Sequence, residues 1–236
     1  MIYKPFNLKV DEEHISCAII SQNDTAILPR FIFLHGAGTG NKEKVHSIAA
    51  PILENNTNIL TLDFSGHGES SGELKRGSLK KRVKEAESVI HKFASHEPLT
   101  ICGVSMGGFI AIKMLDLFQV DTLILFCPAL YDGAAYDAQF DQGFTEIIRQ
   151  TESWQRTDAL HTLNNFTGQL LIVMGENDEV IPSGVIALIN ANTQNASKKE
   201  LYIIPDCPHR ITTWILNYPD EAQRLHQKIS EYIKPR

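Results

Sequence analysis

The hexapeptide GVSMGG, which begins at Gly103, joins two apolar segments, Leu99–Cys102 and Phe109–Leu115. The first segment has the length of a buried strand, and a helix is expected to start directly after the turn. Glycines at 103 and 107 suit this junction because glycine lacks a Cβ atom, tolerates strained backbone angles and lets a strand and a helix approach closely. The segment therefore predicts a strand, a sharp turn at Ser105 and a helix. Ser105 is either a plain turn residue or a nucleophile, and the rest of the chain has to distinguish the two.

Length and charge limit the classes of protein that the chain can represent. With 236 residues it can bury one sizeable core, and α/β folds of this length are commonly single units, so we expect one domain over residues 1–236. The formal net charge of −6 provides no basic footprint, so we expect no nucleic-acid partner. A local basic cluster has helical spacing and is interpreted as a solvated helix face: Lys75, Arg76, Lys80, Lys81, Arg82 and Lys84.

Cysteine usage and hydropathy indicate an intracellular protein. The chain has four cysteines, of which three lie in or beside apolar segments, and this pattern suits buried free thiols in a reducing compartment. They form no paired zinc-ligand spacing. No apolar stretch approaches the roughly 20 residues that span a bilayer, and the first residues lack the basic-then-apolar order of a signal peptide. We expect a cytoplasmic monomer or homodimer with no membrane span, no metal and no organic cofactor.

Short β-rich runs alternate with longer helical runs, which is the pattern of a mainly parallel sheet covered by helices. Several strands are continuous apolar runs, as expected of strands that are covered on both faces. The candidate strands are Phe6–Val10, Ile15–Ser21, Arg30–Leu34, Asn58–Asp63, Leu99–Val104, Thr122–Cys127, Gln169–Met174 and Glu200–Ile204. The candidate helices are Lys42–Glu54, Ser78–Ser95, Met106–Phe118, Ser183–Asn192 and Asp220–Ile233.

Residues 128–167 interrupt this alternation. They contain many aromatic residues and no clear strand, and Asp141–Trp154 could form a helix. An insertion of this length between two strands is uncommon without a function, so we interpret it as a small cap over the strand ends. An ordinary crossover with one extra helix is the alternative. Four aromatic residues of the segment are candidate substrate contacts, although core aromatics would look the same: Tyr131, Phe140, Phe144 and Trp154.

A serine becomes a nucleophile only when a base removes its proton. His209, in IIPDCPHR, follows the last candidate strand, whereas the other histidines fall on helix surfaces or ends, in the N-terminal hairpin or in glycine-rich loops. The histidine in turn needs a carboxylate that holds its tautomer. Asp178, in MGENDEVIP, follows the strand Gln169–Met174 and is the favoured acid. Asp132, after the preceding strand, is the alternative.

Acyl transfer also requires backbone N–H groups that point at the developing oxyanion. The N–H of Met106 is one candidate, because it follows Ser105 at the start of a helix. The second candidate is the N–H of Ala37, in the loop FLHGAGTGNK after the third strand. A phosphate-binding turn is the weaker interpretation of this loop, since HGAGTG lacks the Walker lysine pattern and the dinucleotide-binding spacing.

Five motifs occur along the chain in the order HGAG, LDFSGHGESSG, GVSMGG, GENDEVIP and PH. Together they resemble the α/β-hydrolase fold family, and more narrowly its esterase, monoacylglycerol-lipase-like and serine-aminopeptidase-like branch, over nearly the whole chain from about Phe31. The resemblance implies a three-layer α/β-hydrolase fold, in which a mostly parallel eight-stranded sheet has helices on both faces and a small cap. Two departures blur the subfamily: many relatives have arginine where this chain has Ser65, and often histidine or glutamine where it has Val104.

The same resemblance implies roles for single residues. Ser105 would be the nucleophile, Asp178 the acid and His209 the base, with Ala37 and Met106 as oxyanion donors through their backbone N–H groups. The family's D-x-x-G-x-G-x-S turn is usually structural and is matched by Asp63, Gly66, His67, Gly68 and Ser70.

The sequence thus favours a cofactor-free serine hydrolase that cleaves carboxylic esters of small or medium size through an acyl-enzyme, that is, a carboxylesterase. An acyl thioesterase or a monoacylglycerol-type lipase is the next alternative, because the same residues perform those reactions. In each case the expected substrate is a small-molecule ester or thioester. An amidase or peptidase is less favoured, since expulsion of an amine needs a protonation geometry that the sequence does not display. A non-catalytic binding protein on the same fold is the remaining class.

Overall fold

The apolar runs of the sequence assemble into one eight-stranded sheet. The computed structural model describes residues 1–24 and 26–233. The strands are β1 Ile2–Val10, β2 Glu13–Ser21, β3 Phe31–Leu34, β4 Ile59–Leu62, β5 Leu99–Val104, β6 Val120–Phe126, β7 Gln169–Asn177 and β8 Lys198–Pro208. From one edge of the sheet to the other, their order is β1–β2–β4–β3–β5–β6–β7–β8.

The prediction of a mostly parallel sheet is confirmed. β1 pairs antiparallel with β2, and β2 antiparallel with β4, whereas the remaining neighbours are parallel. Every residue of β3 and β4 is buried, as expected for central strands that helices cover on both faces. Each predicted strand has a counterpart, and β5 has the predicted bounds. β1 and β8 are longer than predicted because each pairs with its neighbour along nearly its whole length.

Helices form the layers on the two faces of the sheet. They are α1 Ala49–Glu54, α2 Leu79–Phe93, α3 Met106–Met114, α4 Phe144–Ile148, α5 Leu160–Asn165, α6 Ser183–Ala191, α7 Ile211–Trp214 and α8 Pro219–Ser230. α1 packs on α8, whereas α3 packs on α2, α5 and the central strands β3, β5 and β6. In the described part of the chain, no helix has both the length and the hydropathy that crossing a membrane requires.

One predicted helix, Lys42–Glu54, is divided in two. Lys42–Ser47 is a 3₁₀ helix, and α1 begins only after Ile48, whose φ of −129° and ψ of 4° lie outside the helical region and end the first segment. The backbone N–H and the ammonium of Lys42 both donate to Asp63, at 2.6 and 2.7 Å. This double attachment ties the start of the segment to the end of β4, so the helical periodicity of the sequence does not produce one continuous helix.

The prediction of a helix over Asp141–Trp154 is also wrong. Gly143 and Glu152 have positive φ angles of 82° and 49°, and such residues interrupt a right-handed helix. The segment therefore contains α4 and, after a turn, the separate 3₁₀ helix Ser153–Arg156. That residues 128–167 act as a cap remains a prediction.

The predicted solvated face of α2 is wrong for Arg82, whose side chain is fully buried. The guanidinium donates to the hydroxyl of Ser65 at 2.8 Å and to the carboxylate of Glu85 at 3.0 Å. It also lies 5.5 Å from the ring centre of Phe64 and 5.6 Å from that of Phe140. Arg82 can be buried because its charge is paired with Glu85 and two aromatic rings lie near its guanidinium. The other five basic residues of the cluster are exposed or half-buried.

The prediction of buried free thiols is confirmed for Cys17, Cys102, Cys127 and Cys207. Burial raises the pKa of the Cys17 thiol and that of the Cys207 thiol to about 12. It also raises the pKa of the other two thiols. All four are therefore protonated at neutral pH and are poor nucleophiles.

The first turn of α3 lies against the backbone of the sheet. A Cβ atom at position 107 would lie 2.2 Å from the carbonyl oxygen of Leu34, and one at position 103 would lie 2.2 Å from that of Gly107. Both obstacles are backbone atoms, which cannot swing aside as the end of a flexible side chain can. The helix after Ser105 therefore approaches β3 this closely only because Gly103 and Gly107 are glycines.

We expect Gly107→Ala to destabilise the protein by at least about 2 kcal/mol, a fall in Tm of roughly 5 °C or more, because the methyl group overlaps a fixed carbonyl. Helix propensity alone predicts the opposite sign, since alanine is the better helix former. Gly133→Ala is the matched control, because its Cβ would lie 3.7 Å from its nearest neighbour. Thermal unfolding of both variants tests the contact, and an equal Tm for the two would contradict it.

Candidate active site

Ser105 occupies the turn between β5 and α3. Its backbone has φ 53° and ψ −114°, a conformation that non-glycine residues rarely adopt. Three backbone hydrogen bonds hold it there: the Ser105 N–H donates to the Phe126 carbonyl at 2.8 Å, and the Ser105 carbonyl accepts from the N–H groups of Gly108 and Ala129 at 2.9 and 3.1 Å. Such strain costs about 1–3 kcal/mol and persists only where the surrounding structure imposes it. The turn projects the side chain of Ser105 beyond the carboxyl end of β5, where ligands bind in open α/β sheets.

β7 and β8, the last two strands in the order of the sheet, place Asp178 and His209 near Ser105. His209 directly follows β8, and Asp178 directly follows β7. The Nε2 atom of His209 lies 3.2 Å from Oγ of Ser105, and its Nδ1 atom lies 2.9 Å from Oδ2 of Asp178. The carboxylate is buried, whereas the imidazole is partly open to solvent. The three side chains thus form one hydrogen-bonded chain from a buried acid to a hydroxyl at the protein surface.

The surroundings of Asp178 favour its ionised form. Burial by itself raises the pKa of this carboxyl, but hydrogen bonds from His209, the Cys127 thiol and the N–H groups of Ile181 and Val180 outweigh burial and lower the pKa below its ordinary value. The two N–H groups donate to Oδ1 at 3.1 and 2.8 Å, which leaves Oδ2 for His209. An ionised Asp178 keeps the proton of His209 on Nδ1, so Nε2 presents a lone pair to Ser105.

Asp132, the alternative acid, has other partners. Its Oδ2 atom accepts a hydrogen bond from Nε of Arg156 at 2.6 Å, and its Oδ1 atom accepts one from the N–H of Ala134 at 3.0 Å. The Ala134 N–H and the Arg156 guanidinium lower the pKa of Asp132. His209 is bonded to Asp178 instead.

The loop after β3 lies beside the serine. A Cβ atom on Gly36 would lie 3.3 Å from Cβ of Ser105, so the loop leaves little room for a side chain at position 36 beside the serine. Within residues 1–24 and 26–233, no hydrogen bond from the N–H of Ala37 is present. Met106 is the first residue of α3, where N–H groups have no acceptor within the helix. Neither N–H group that the sequence singled out has a backbone acceptor in the described part of the chain, and that they bind a substrate oxygen remains a prediction.

His35 shapes this loop and was not singled out as a functional residue. Burial, and then the neighbouring His67, lower the pKa of His35 to about 3, so the ring is neutral at any physiological pH. Its Nε2 atom accepts from the N–H of Phe64 at 3.0 Å, so Nδ1 carries the proton and donates to the carbonyl of Gly36 at 2.6 Å. His67 itself is buried beside His35, with 4.8 Å between the ring centres, and does not line the cavity described below.

A buried ion pair anchors the other end of the loop. Asp63 accepts from the N–H and ammonium of Lys42 and from the N–H of Glu69 at 2.9 Å. The side chains of Lys42 and Asp63 are 2% and 1% exposed. Although burial by itself lowers the pKa of Lys42, its bonds to Asp63 and Glu69 raise it overall. The glycine-rich turn after β4 is thus structural, as its motif implied, whereas no local pattern identified Lys42 as its partner.

A cavity of about 300 Å³ opens beside Ser105 and His209. This volume is at the small end of the range for ligand sites. The cavity lies between the loop after β3 and the segment that follows β8, and it is lined by Phe33, His35, Gly36, Ala37, Gly38, Thr39, Gly40, Lys44, Val104, Ser105, Val180, His209, Arg210, Thr212 and Thr213.

The four aromatic residues that were predicted as substrate contacts are absent from this lining, among the residues that the structure describes. The ring of Tyr131 packs edge-on against Phe109, and Phe140 packs edge-on against Phe144. Trp154 lies against Gly184 at the start of α6. These side chains lie in apolar contacts within the protein, so the structure does not bring them to the cavity beside Ser105.

Cys127, Asp178 and His209 place one thiol, one carboxylate and one imidazole atom within 4.8 Å of one another, which is close enough to share a metal ion. The chemistry of these donors does not suit that use. Burial and the adjacent carboxylate raise the pKa of the Cys127 thiol, so it stays protonated and donates to Asp178, whereas a metal ligand must be a thiolate. We interpret the cluster as a hydrogen-bonded group in which Cys127 and His209 hold the Asp178 carboxylate in place.

A sequence profile of the serine aminopeptidase S33 family matches residues 29–156, more than half of the chain. The chain belongs to this family. The matched part contains Ala37, Ser105 and Met106 and ends before Asp178 and His209. Protein bem46 of Schizosaccharomyces pombe is 26% identical over 190 residues, which cover 78% of this chain and 62% of that protein. The chain thus spans less than two thirds of the length of this curated relative.

Solved structures of similar fold include two whose chains are nearly fully covered. Est1E from Butyrivibrio proteoclasticus, solved with ferulic acid bound, has a TM-score of 0.71 and 18% identity, over 97% of this chain and 99% of that one. The thioesterase domain from the curacin biosynthetic pathway has a TM-score of 0.70 and 16% identity, over 97% and 99%. At these identities the similarity shows the α/β-hydrolase fold, as the sequence motifs implied.

We expect Lys42→Met to destabilise the protein by about 3–5 kcal/mol, because it leaves the Asp63 carboxylate buried without its cation. The same substitution in an exposed ion pair is the control: Lys84 pairs with Asp11, both more than half exposed, and Lys84→Met should change stability by less than about 1 kcal/mol. Urea unfolding of the two variants compares the free energies of unfolding directly. Equal losses in both would mean that the buried pair has no special role.

Proposed function

We propose that the protein is a serine hydrolase that cleaves carboxylic esters of small or medium size, with Ser105 as nucleophile, His209 as base and Asp178 as acid. The observation that carries the proposal is the hydrogen-bonded chain from Asp178 through His209 to Ser105, which ends at a cavity. Ser105 also has strained backbone angles, and strain of this kind concentrates at functional sites. The Ala37 and Met106 N–H groups supply the oxyanion contacts in this proposal.

The first half of the reaction forms an acyl-enzyme. Oγ of Ser105 bonds to the ester carbonyl carbon while its proton moves to Nε2 of His209, and the carbonyl π electrons move to the oxygen. The N–H groups of Ala37 and Met106 donate to this oxyanion, and each such donor is worth about 10²–10³ in rate. The intermediate then expels the alkoxide, which takes the proton from Nε2 and leaves as the alcohol. Asp178 stabilises the imidazolium that exists between these two proton transfers.

The second half repeats the sequence with water. A water molecule gives its proton to Nε2 of His209 and bonds to the acyl carbon. The bond from that carbon to Oγ of Ser105 then breaks, and Oγ recovers the proton. The products are a carboxylic acid and the original enzyme. Since a thiolate leaves from the first intermediate as readily as an alkoxide, acyl thioesters are the next candidate substrates.

The lining of the cavity favours esters over aminopeptidase substrates, despite the name of the family. An aminopeptidase must accept a free ammonium group beside the bond that it cleaves, and a carboxylate would pair with that charge. The cavity lining contains no Asp or Glu among the described residues, and its fully charged side chains are the cations Lys44 and Arg210. A positively charged amino terminus would be repelled at this position.

We expect Ser105→Ala to lower ester turnover by about 10⁴–10⁶ and to abolish labelling by a fluorophosphonate probe, because the nucleophile is lost while the fold remains. Ser88→Ala is the control, since its hydroxyl bonds only to a carbonyl on the exposed surface of α2. Turnover of a p-nitrophenyl ester series from acetate to palmitate, with the probe alongside, measures both effects. Labelling that survives in Ser105→Ala would refute the assignment, and absence of labelling in the native protein would favour a non-catalytic role.

Asp178→Asn should lower turnover by about 10³–10⁴, because an amide no longer holds the productive tautomer of His209. Asp132→Asn should stay within severalfold of the native rate, since Asp132 bonds to Arg156 and Ala134. The kcat values of both variants, compared at one pH with circular dichroism spectra as a check on folding, distinguish the two carboxylates. A larger loss in Asp132→Asn would move the acid to that residue.

A further inference from the structure

Two cations line the cavity beside Ser105. Lys44 comes from the 3₁₀ helix Lys42–Ser47, and Arg210 directly follows His209 in the chain. They therefore enter the cavity from the two segments that flank the proposed nucleophile. Arg210 is exposed, and Lys44 is half-buried.

Neither cation is neutralised by the protein. Within residues 1–24 and 26–233, Lys44 and Arg210 form no ion pair, and no Asp or Glu lines the cavity with them. The Nζ atom of Lys44 donates only to the neutral hydroxyl of Thr213, at 3.3 Å. Some exposed cations elsewhere have carboxylate partners, such as Lys80 with Asp137 at 2.8 Å, whereas others, such as Lys9, have none in the described residues. The positive charge at the cavity thus contrasts with the net charge of −6 of the whole chain.

Hydroxyl groups accompany the two charges. Thr212 and Thr213 line the cavity and lie close to Arg210 in the chain. Thr39 lines the cavity from the loop after β3. Ammonium, guanidinium and hydroxyl groups together are the donors that proteins use for carboxylate and phosphate groups. A neutral hydrocarbon chain would leave these donors without acceptors when it excluded water from them.

We propose that the cavity selects esters or thioesters that carry a negatively charged group, a carboxylate or a phosphate, and that Lys44 and Arg210 bind this group. The inference rests on the proposed function, because it names the substrate class of the same site. Ester hydrolysis supplies the reaction, and the anionic group stays unchanged while it orients the scissile carbonyl against Ser105.

Matched substrates test the charge preference. Monoethyl succinate carries a carboxylate where ethyl butyrate ends in a methyl group, and 4-acetoxybenzoate carries a carboxylate on the leaving group of phenyl acetate. The succinate and butyrate pair tests an anion on the acyl side, and the other pair tests one on the alcohol side. Phenyl phosphate and benzoate, as competitive inhibitors of butyrate hydrolysis, compare phosphate with carboxylate as the bound group.

Lys44→Gln and Arg210→Gln should each lower the ratio of kcat/KM for the anionic ester to kcat/KM for its neutral counterpart by about tenfold or more, in at least one of the two pairs. Intrinsic reactivity differences between the esters cancel, since each ratio is compared with that of the native protein. Lys9→Gln is the control: it removes one positive charge from an exposed position outside the cavity, and its ratio should equal the native one. The native ratio should also fall as salt is added.

Binding provides a readout that does not depend on turnover. Monoethyl succinate, titrated by calorimetry, should bind the Ser105→Ala variant with a Kd at least about tenfold lower than that of the triple variant Ser105→Ala, Lys44→Gln and Arg210→Gln. If the native enzyme hydrolyses neutral esters but all ratios and affinities are unchanged in the variants, the anion preference is wrong and the proposed function stands. If no ester is hydrolysed and the affinities nevertheless differ, the cavity binds anions and the ester chemistry is wrong. If no ester is hydrolysed and the variants bind the anionic ester with equal affinity, both the proposed function and the anion preference are wrong.

Discussion

The backbone of α3 touches the backbone of the sheet at its first turn, with no room for a side chain between them. This contact requires Gly103 and Gly107, and it holds Ser105 in a positive-φ conformation. The turn cannot relax into a smoother one, because the carbonyl oxygens of the neighbouring strand limit where the helix can lie. The position of the Ser105 side chain is therefore set by main-chain packing. His209 and Asp178 follow β8 and β7, and their side chains reach Ser105 from the ends of those strands.

Behind the loop that carries Ala37, the protein buries two ion pairs. Lys42 is bonded to Asp63, and Arg82 is bonded to Glu85 and Ser65. Ser65 accepts a hydrogen bond from the guanidinium that α2 supplies. Pairs of this kind contribute little net stability, but the loss of one partner is costly because it leaves a charge unpaired in the interior. These contacts therefore hold the loop in one arrangement, and His35 adds a hydrogen bond that no physiological pH removes.

The features that could be predicted from the sequence are those with a local pattern. Continuous apolar runs predicted the buried strands, and glycines on either side of Ser105 predicted the sharp turn between β5 and α3. His209 and Asp178 could be chosen because each follows a strand of a parallel sheet, whose carboxyl ends meet at one edge. Both hydrogen bonds that link them to Ser105 are present, whereas their roles in a reaction are part of the proposal.

The features that could not be predicted depend on partners that are distant in the sequence. Arg82 has the spacing of a surface residue, and only its contacts with Ser65 and Glu85 explain its burial. Lys42 was included in a continuous helix because its bond to Asp63, 21 residues later, leaves no trace in the local pattern. The aromatic residues of 128–167 could not be placed for a different reason: a substrate cap and a packed interior have the same composition, so no sequence pattern separates the two, and in the structure these rings do not line the cavity beside Ser105.

The three residues of the hydrogen-bonded chain are not equally well anchored. Ser105 and Asp178 follow interior strands, whereas His209 follows β8, an edge strand with one neighbour and mostly exposed or half-buried residues. Edge segments open locally at a lower free energy than the centre of a sheet. We therefore expect His209 to leave its partners on warming before the sheet unfolds. The temperature limit of this site would then be set by the fraying of one strand, below the melting temperature of the whole molecule.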